Sequence, residues 1–203
     1  MVIPTRLQDV TSAAQLLTRL SLATAVKASR IMKDGATKSF AQAYNCQVAV
    51  DSQAQVIVAS QVTQQANDKS QVKPLVEQMQ ENLERDPQQL SADNGYYSEE
   101  NVRYLAAEGI DAYLATGRLK HSDARPLPPR GRIAQAATTK DRMARKLQTA
   151  KGRSTYAKRK EIVEPVFGQI KQVRGFRQFL LRGIGKVSAE WQLICLGHNL
   201  LKL

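Results

Sequence analysis

The chain has 203 residues, 42% of them hydrophobic, and its 30 Lys and Arg outnumber its 18 Asp and Glu, giving a formal net charge of +12. This hydrophobic content supports a packed core and excludes general disorder. The charge favours a polyanionic partner, because a basic surface attracts nucleic acid at long range and releases its counterions. Residues 118–182 hold 18 basic residues against four acidic ones, so the basic surface is predicted to lie there. On composition alone, a soluble protein that is basic for unrelated reasons is the alternative.

The spacing of apolar residues changes once within the first 62 residues of the chain. Residues 9–27 place apolar residues near one stripe of a helix, which predicts an amphipathic helix. Residues 44–50 alternate apolar and polar side chains, and residues 56–62 are mostly apolar, so each segment is predicted to be a strand. The intervening Asp51-Ser52-Gln53 is typical of a turn, and the two strands are expected to form an antiparallel hairpin.

Helices and strands alternate through the middle of the chain. Short strands are predicted over residues 89–92 and 110–115. Helices are predicted over about residues 70–83, 98–108, 140–150, from Tyr156 onward, and over 186–203. The resulting order of strand, strand, helix, strand, helix and strand indicates a mixed α/β fold.

Two features of the sequence bear on the cellular compartment. Cys46 and Cys195 lie in apolar contexts without the spacing of metal ligands, so both are predicted to be buried, reduced thiols, although a disulfide is an open alternative. No apolar run near the amino terminus is long enough to span a membrane or to form a signal peptide. The chain is therefore expected to be cytoplasmic, with no membrane partner.

Two acidic residues stand where they could carry chemistry. Asp93 follows a short predicted strand, and ligands of α/β sheets usually bind at the carboxyl ends of strands. Taken alone, Asp-Asn-Gly is more often a simple turn. Glu164 shares one predicted helix face with Glu161 and Lys171, opposite an apolar face, and a solvated face of a core helix is an equal alternative. Pro165 favours a kink or a helix start at this point.

Four separated segments occur in an order that is specific to one protein family. The segments are YNCQVAVDSQAQVIVASQVTQQANDKSQVKPLVEQ, LSADNGYYSEENVRYLAAEGIDAYLA, YAKRKEIVEPVFGQIKQVRGFRQFLLRG and VSAEWQLICLGHNLLKL. In this order they resemble the DDE-class transposases of bacterial insertion sequences, of the IS4/IS5-like group. The resemblance covers about residues 29–203 and corresponds to the carboxyl-terminal part of the catalytic domain.

The resemblance implies an α/β fold that is ribonuclease H-like, with a five-stranded mixed sheet flanked by helices. Residues 1–35 would form an amino-terminal segment without a clear match. Residues 36–203 would form the transposase catalytic domain, with a basic insertion at about 116–155. The implied function is DNA strand cleavage and strand transfer, with DNA as the partner and a homodimer as a further expectation.

The resemblance also implies roles for individual residues. The family's second and third carboxylates, which are catalytic and bind metal, fall on Asp93 and Glu164. The implied cofactor is Mg²⁺ or Mn²⁺, since hard cations take oxygen ligands and two of them can drive an in-line displacement at phosphorus. The implied DNA-binding residues are Tyr156, Arg159, Lys160, Lys171 and Arg174. Tyr156 and Arg159 sit one residue further from Glu164 than the commonest spacing, and Lys160 occupies the position where that spacing would put Arg.

The family's first aspartate has no counterpart in the sequence. In the family it lies on the first strand and is followed by Gly or Ser and then Thr, a pattern that residues 1–43 do not reproduce. Asp34 belongs to a segment that resembles the part after that strand, Asp51 aligns with the hairpin turn, and Asp9 falls in a predicted helix. We therefore expect a chain that lacks the first strand, as from a truncated or frameshifted reading frame, and that cleaves DNA poorly.

Three classes of function stay open at this point. The first is a transposase-type enzyme with impaired activity, and the second is a non-catalytic DNA-binding remnant of a transposase. A basic RNA-binding protein is less favoured and would predict no proximity between Asp93 and Glu164. His198, Asn199 and Trp191 lie in a strongly apolar terminal helix and are predicted to be structural.

Overall fold

The fold was determined as a computed structural model that describes residues 14–23, 30–33, 40–65, 67–117, 128 and 130–203. The six strands are β1 (Ala14–Ala23), β2 (Arg30–Lys33), β3 (Phe40–Val50), β4 (Ile57–Thr63), β5 (Gln89–Ala92) and β6 (Asp111–Leu114). The five helices are α1 (Val72–Leu83), α2 (Glu99–Ala107), α3 (Thr139–Gln148), α4 (Ala150–Gly168) and α5 (Ile184–Leu200). The order from β3 to β6 confirms the predicted succession of strand, strand, helix, strand, helix and strand.

The strands form one mixed sheet with β1 near its centre. β3 pairs antiparallel with β1 on one side and with β4 on its other side, while β2 extends the pairing of β3 at Phe40–Ala43. β5 pairs parallel with β1, and β6 pairs parallel with β5. The sheet thus joins an antiparallel half to a parallel half, which confirms the predicted mixed α/β, ribonuclease H-like fold.

The strand β1 corrects two expectations. The helix predicted over residues 9–27 is wrong over Ala14–Ala23, and the first strand expected to be missing is present in the sheet. β1 is a strand because β3 and β5 pair with its backbone on both sides, a partner set that local periodicity does not reveal. The leucines of AQLLTRLSLA, at positions 16, 17, 20 and 22, suit a strand as well as a helix.

Two apolar clusters lie on opposite faces of the sheet, because successive residues of β3 face opposite ways. One cluster contains Tyr44, Cys46, Val48 and Val50 and packs against α4 and α5. The other contains Ala49 and packs against α1, α2 and α3. The helices therefore cover the sheet from both sides.

The residues predicted to be structural are buried in the first cluster or tied to its strands. Trp191 is fully buried and meets Phe179 edge-on, and His198 and Asn199 bond to the β3–β4 hairpin. Cys46 and Cys195 are free, buried thiols, as predicted, and burial raises the pKa of Cys195 to about 12.

The basic segment contains two consecutive helices, so the predicted helix near residues 140–150 is confirmed as α3. α4 begins at Ala150, earlier than expected, because the Thr149 side chain caps it by accepting from the Gly152 amide. A Cβ at Gly152 would lie 2.0 Å from the Lys146 carbonyl oxygen, so only glycine permits this tight junction. α4 then runs through Pro165 to Gly168, which places the proline inside the helix and not at its start.

Candidate active site at the end of strand β5

Asp93 directly follows β5, as the sequence predicts. Its carboxylate accepts a hydrogen bond from the Gly95 amide at 2.8 Å and caps the short 3₁₀ turn Asn94–Tyr96. The side chain is 38% exposed. Asp93 Oδ1 therefore organises the turn, as the turn interpretation expects, whereas Oδ2 faces the Arg159 guanidinium, and a catalytic role for Asp93 stays a prediction.

Two of the implied DNA-binding residues, which together we call the basic signature (Tyr156, Arg159, Lys160, Lys171 and Arg174), lie on α4 next to Asp93. A terminal nitrogen of Arg159 (Nη1) lies 4.0 Å from Asp93 Oδ2, and the guanidinium lies 5.3 Å from the centre of the Tyr156 ring. Burial raises the pKa of the Tyr156 hydroxyl, Arg159 opposes the rise, and Asp93 adds to it. These contacts place an acid, an arginine and a tyrosine at the carboxyl end of β5.

Asp68 is a neighbour of Asp93 that sequence reasoning missed. Asp68 stands at the N-cap position of the 3₁₀ turn Lys69–Gln71, where an acid often caps a helix, but its carboxylate makes no capping bond. Asp68 is instead buried, and its Oδ1 accepts from Asn45 at 2.7 Å and from Gln47 at 2.9 Å. The only sequence signal was an acid shortly before a helix, which fits a cap equally well.

Gly95 separates the two carboxylates. A Cβ built on Gly95 would lie 2.8 Å from Asp68 Oδ2 and 3.1 Å from Asp93 Oδ1. The two oxygens are therefore no further apart than the sum of these distances. A side chain at this position would displace one carboxylate or the other, so the close approach of Asp68 and Asp93 depends on glycine.

A buried polar network fixes the turn that carries Asp93. The Tyr96 hydroxyl donates to Gln47, whose amide donates to Asp68. The Asn101 side chain donates to the carbonyl oxygens of both Tyr96 and Lys69, at 2.8 Å each. The network joins the turn after β5, the segment before α1 and the strand β3 into one unit, so Asp93 is held by three parts of the fold.

Glu164 lies exposed on α4, between buried residues that face the core. Ile162, Val163 and Val166 are buried as the amphipathic interpretation predicts, whereas Val173, at the end of the same apolar run, is 80% exposed. Among the described residues no hydrogen bond or ion pair fixes the Glu164 carboxylate. Its catalytic role stays a prediction.

The carboxylates of the described residues fall short of a complete metal centre. Within residues 14–117 and 128–203 as far as they are described, no group of three or more His, Cys, Asp or Glu side chains could hold a metal ion. β1 contains no acid, although Leu17 pairs with Ala92, the residue before Asp93. Asp9 and Asp34 lie outside the described residues. The donor set therefore does not fit the three-carboxylate cage that Mg²⁺ or Mn²⁺ would take in this class, and no step of cleavage is derived through a bound cation.

The remaining residues of the basic signature differ in their surroundings. Lys160 is exposed on α4, and Lys171 lies in the π-helix Gln169–Val173. Arg174 donates from Nη1 to the Ile194 carbonyl oxygen at 2.8 Å, and its guanidinium lies 4.9 Å from the centre of the Phe176 ring. Arg174 thus fastens α5 to the end of α4, which favours a structural role, while Lys160 is accessible to a ligand.

The carboxyl-terminal part of the chain is similar to a known protein family. Residues 128–203 match the family model described as Transposase DDE domain. The match confirms the predicted DDE-class transposase resemblance and contains Glu164 with every residue of the basic signature, while Asp93 lies outside it. The insertion-sequence subgroup stays a prediction. No curated protein matches the chain.

Solved structures similar to the chain include two of the HTLV-2 integrase catalytic core domain in complex with magnesium, in a dimeric and a trimeric form. Both are 10% identical with a TM-score of 0.34. The matches cover 51% and 52% of this chain and only 61% and 60% of those chains. The ribonuclease H-like assignment of this chain rests on its own strand order and pairing.

Proposed function

We propose that this chain binds DNA and acts in DNA transposition, by phosphodiester cleavage and strand transfer that the absence of an acid on β1 weakens. The observation that carries the proposal is the placement of Tyr156 and Arg159, both within the transposase-matched segment, against Asp93. A divalent cation, Mg²⁺ or Mn²⁺, is the cofactor that the family resemblance implies for such chemistry. Asp93 and Glu164 are the ligands that the family resemblance implies, and by themselves they do not complete a site for the cation. A cytoplasmic location stays a prediction.

The proposed role of the basic residues is to hold the DNA backbone. Arginine and lysine contacts to phosphates position a duplex without reading its sequence. Arg159 is only 19% exposed and is oriented by Tyr156 and Asp93, so it would present a fixed guanidinium to a phosphate next to the acid. Lys160 would add a charge on the same helix, and Lys171 a charge on its continuation, the π-helix Gln169–Val173.

Plasmid nicking tests the catalytic part of the proposal. Supercoiled plasmid with Mn²⁺ or Mg²⁺ is expected to show slow nicking by the native chain. The nicking should fall to the level without protein in Asp93→Ala and in Glu164→Ala. Glu161→Ala is the matched control, because it removes an exposed acid of the same helix and should leave the rate unchanged.

A non-catalytic DNA-binding remnant is the second candidate function, and the acid-free β1 favours it. It predicts that the native chain and both alanine variants bind plasmid equally without nicking it. Nicking that persists in Asp93→Ala and Glu164→Ala would show a contaminating nuclease and contradict the catalytic proposal.

Salt dependence of DNA binding tests the basic surface. The double variant Lys160→Ala/Lys171→Ala is expected to bind duplex DNA more weakly, and the slope of log K against log salt should fall by about one for each phosphate that the protein no longer neutralises. Fluorescence anisotropy with a labelled duplex at several salt concentrations measures both quantities. Lys73→Ala on α1 is the control, since α1 packs on the opposite face of the sheet from α4. An unchanged slope in the double variant would place the DNA elsewhere.

A further inference from the structure

Asp111 is an acid outside the candidate site that binds two lysines at the start of β6. Lys146 of α3 donates to its carboxylate and, at 2.7 Å, to the Ala112 carbonyl oxygen of the same strand. Lys151, in the first turn of α4, lies 3.4 Å from Asp111 Oδ2. The Tyr113 hydroxyl donates to the same oxygen at 3.0 Å. Asp111 therefore joins the end of α3 and the beginning of α4 to one strand of the sheet.

The carboxylate of Asp111 is ionised near neutral pH. Burial alone would raise its pKa, but the hydrogen bonds from Lys146 and Tyr113 and the charge of Lys146 together lower it. The Lys146 ammonium also lies 4.3 Å from the centre of the Tyr113 ring, and its side chain is only 33% exposed. A half-buried pair with several hydrogen bonds differs from an exposed surface pair, whose partners move freely. The pair can therefore hold two parts of the fold together.

The junction between α3 and α4 is tightly packed, so the contact at Asp111 is transmitted to α4. The Thr149 side chain donates to the Lys146 carbonyl oxygen at 2.7 Å and accepts from the Gly152 amide at 3.0 Å. The backbone of Gly152 packs directly on Lys146 and leaves no space at this corner. Because Lys146 is fixed on Asp111, the point at which α4 begins is fixed as well.

α4 leads from Asp111 to Asp93 beside the parallel strands. Asp111 pairs with Gln89, and Asp93 follows four residues later, which is about 13 Å along the strand. Lys151 and Arg159 are eight residues apart on α4, which is about 12 Å along the helix. The two lengths match, so α4 meets an acid of the sheet in its first turn and again in its third.

The contact of Arg159 with Asp93 depends on the position of α4. Nη1 of Arg159 and Oδ2 of Asp93 are 4.0 Å apart, which is too long for a hydrogen bond. The buried Nε of Arg159 has no hydrogen-bond partner among the described residues. The guanidinium is thus placed by its helix and by the Tyr156 side chain, and not by a hydrogen bond to Asp93. A displacement of α4 by about 1 Å would change which group the guanidinium can reach.

We propose that Asp111 is a positioning residue for Arg159. Its ion pairs with Lys146 and Lys151 hold the start of α4. They thereby set where the Arg159 guanidinium stands relative to Asp93. The inference rests on the proposed function, in which Arg159 holds a DNA phosphate. In this role Asp111 touches no DNA, and its removal acts only through the helix.

The distance between two spin labels on the full chain tests the position of α4 without DNA. Ala157→Cys and Glu99→Cys place the labels on exposed residues of α4 and α2, and both native thiols are buried. In this labelled chain, Asp111→Ala should shift or broaden the distance distribution by about 2 Å, as measured by double electron–electron resonance. Lys146→Met removes the same contact from its other partner and should have the same effect.

Two further variants serve as controls for the distance measurement. Asp111→Glu keeps the charge and should restore most of the native distribution. Glu77→Ala removes an exposed acid that lies 3.8 Å from Lys73 on α1, and it should leave the distribution unchanged. An unchanged distribution in Asp111→Ala, or in Lys146→Met if the first variant does not fold, would overturn the proposal.

A double-mutant cycle on duplex binding tests what this position serves. In the native background, Arg159→Ala should weaken binding of a labelled duplex about 10-fold, the loss expected for one hydrogen bond to a charged group. In the Asp111→Ala background the same change should weaken binding by less than about 3-fold. Substitutions more than about 10 Å apart normally act independently, so a loss of stability alone would not produce this non-additivity.

The outcomes of the cycle separate this inference from the proposed function. If the effects of Asp111→Ala and Arg159→Ala are fully additive, Asp111 does not position Arg159 for DNA and the proposal is overturned. If Arg159→Ala alone leaves the affinity unchanged, the DNA-binding role of Arg159 in the proposed function is contradicted. The spin-label distances then still decide whether Asp111 sets the position of α4.

Discussion

Placing a carboxylate on the central strand through Thr18→Asp is expected to raise the rate of plasmid nicking with Mn²⁺ by about 10- to 100-fold. β1 contains no acid, and its Leu17 pairs with Ala92, so the next residues along the two parallel strands are Thr18 and Asp93. A carboxylate at position 18, which continues the register of Leu17 and Ala92, would add an oxygen ligand of the kind that hard cations prefer. The measured quantity is the initial nicking rate at several Mn²⁺ concentrations.

Two controls separate charge from position in this experiment. Thr18→Asn introduces a side chain of nearly the same shape as aspartate but without its charge, and it should not raise the rate of nicking. Arg19→Asp adds an acid one position further along the same strand, so it tests whether the gain depends on position 18. If Thr18→Asp is no faster than Thr18→Asn, the missing acid on β1 does not limit activity. The combination with Asp93→Asn should remove the gain, since both acids would be needed.

The second large effect is expected from Asp68→Ala, which should lower the free energy of unfolding by about 2–4 kcal/mol. Asp68 is 7% exposed and accepts from the side chains of Asn45 and Gln47, which are themselves fully buried. Removing the acceptor leaves the Gln47 amide without that partner inside the protein. Asn45 suffers less, because it also donates to the Gln65 carbonyl oxygen at 2.9 Å.

Urea unfolding followed by tryptophan fluorescence measures this destabilisation, since Trp191 is the single tryptophan and is fully buried. Asp68→Asn keeps an acceptor oxygen of similar shape and should lose less stability than Asp68→Ala. Glu81→Ala on the exposed side of α1 is the control for removal of an acid and should change stability by less than about 0.5 kcal/mol. Equal stability of Asp68→Ala and the native chain would show that the network does not hold the turn of Asp93.

The same network explains which part of the site could be recognised in advance. Asp93 was found because a strand followed by Asp-Asn-Gly is a local pattern that the family shares. Asp68 was missed because its partners, Asn45 and Gln47, lie more than twenty residues away on β3. Nothing near Asp68 distinguishes a buried acceptor from a helix cap. A residue whose hydrogen-bond partners lie far away in the sequence cannot be recognised from the residues next to it.

The roles expected for the basic residues divide in the same way. Tyr156 and Arg159 carry the family spacing approximately, and α4 brings them to Asp93 from across the sheet. Arg174 follows the same basic run in the sequence, but its guanidinium packs on the backbone of α5. A cluster of basic residues therefore predicts a basic helix, whereas the role of each basic side chain depends on the residues that lie next to it in the fold.

The sequence by itself determined the hairpin of β3 and β4, the later helices and strands, and the position of Asp93 at the end of β5. These features depend on periodicity, turns and motifs within a few residues. The tertiary structure alone decided that residues 14–23 form a central strand, because its parallel partner β5 lies about seventy residues further along the chain. It also decided that no acid stands on that strand beside Asp93. The local pattern of residues 14–23 fits a helix and a strand alike. Pairing with distant strands decides between them, because it satisfies the hydrogen bonds of the backbone.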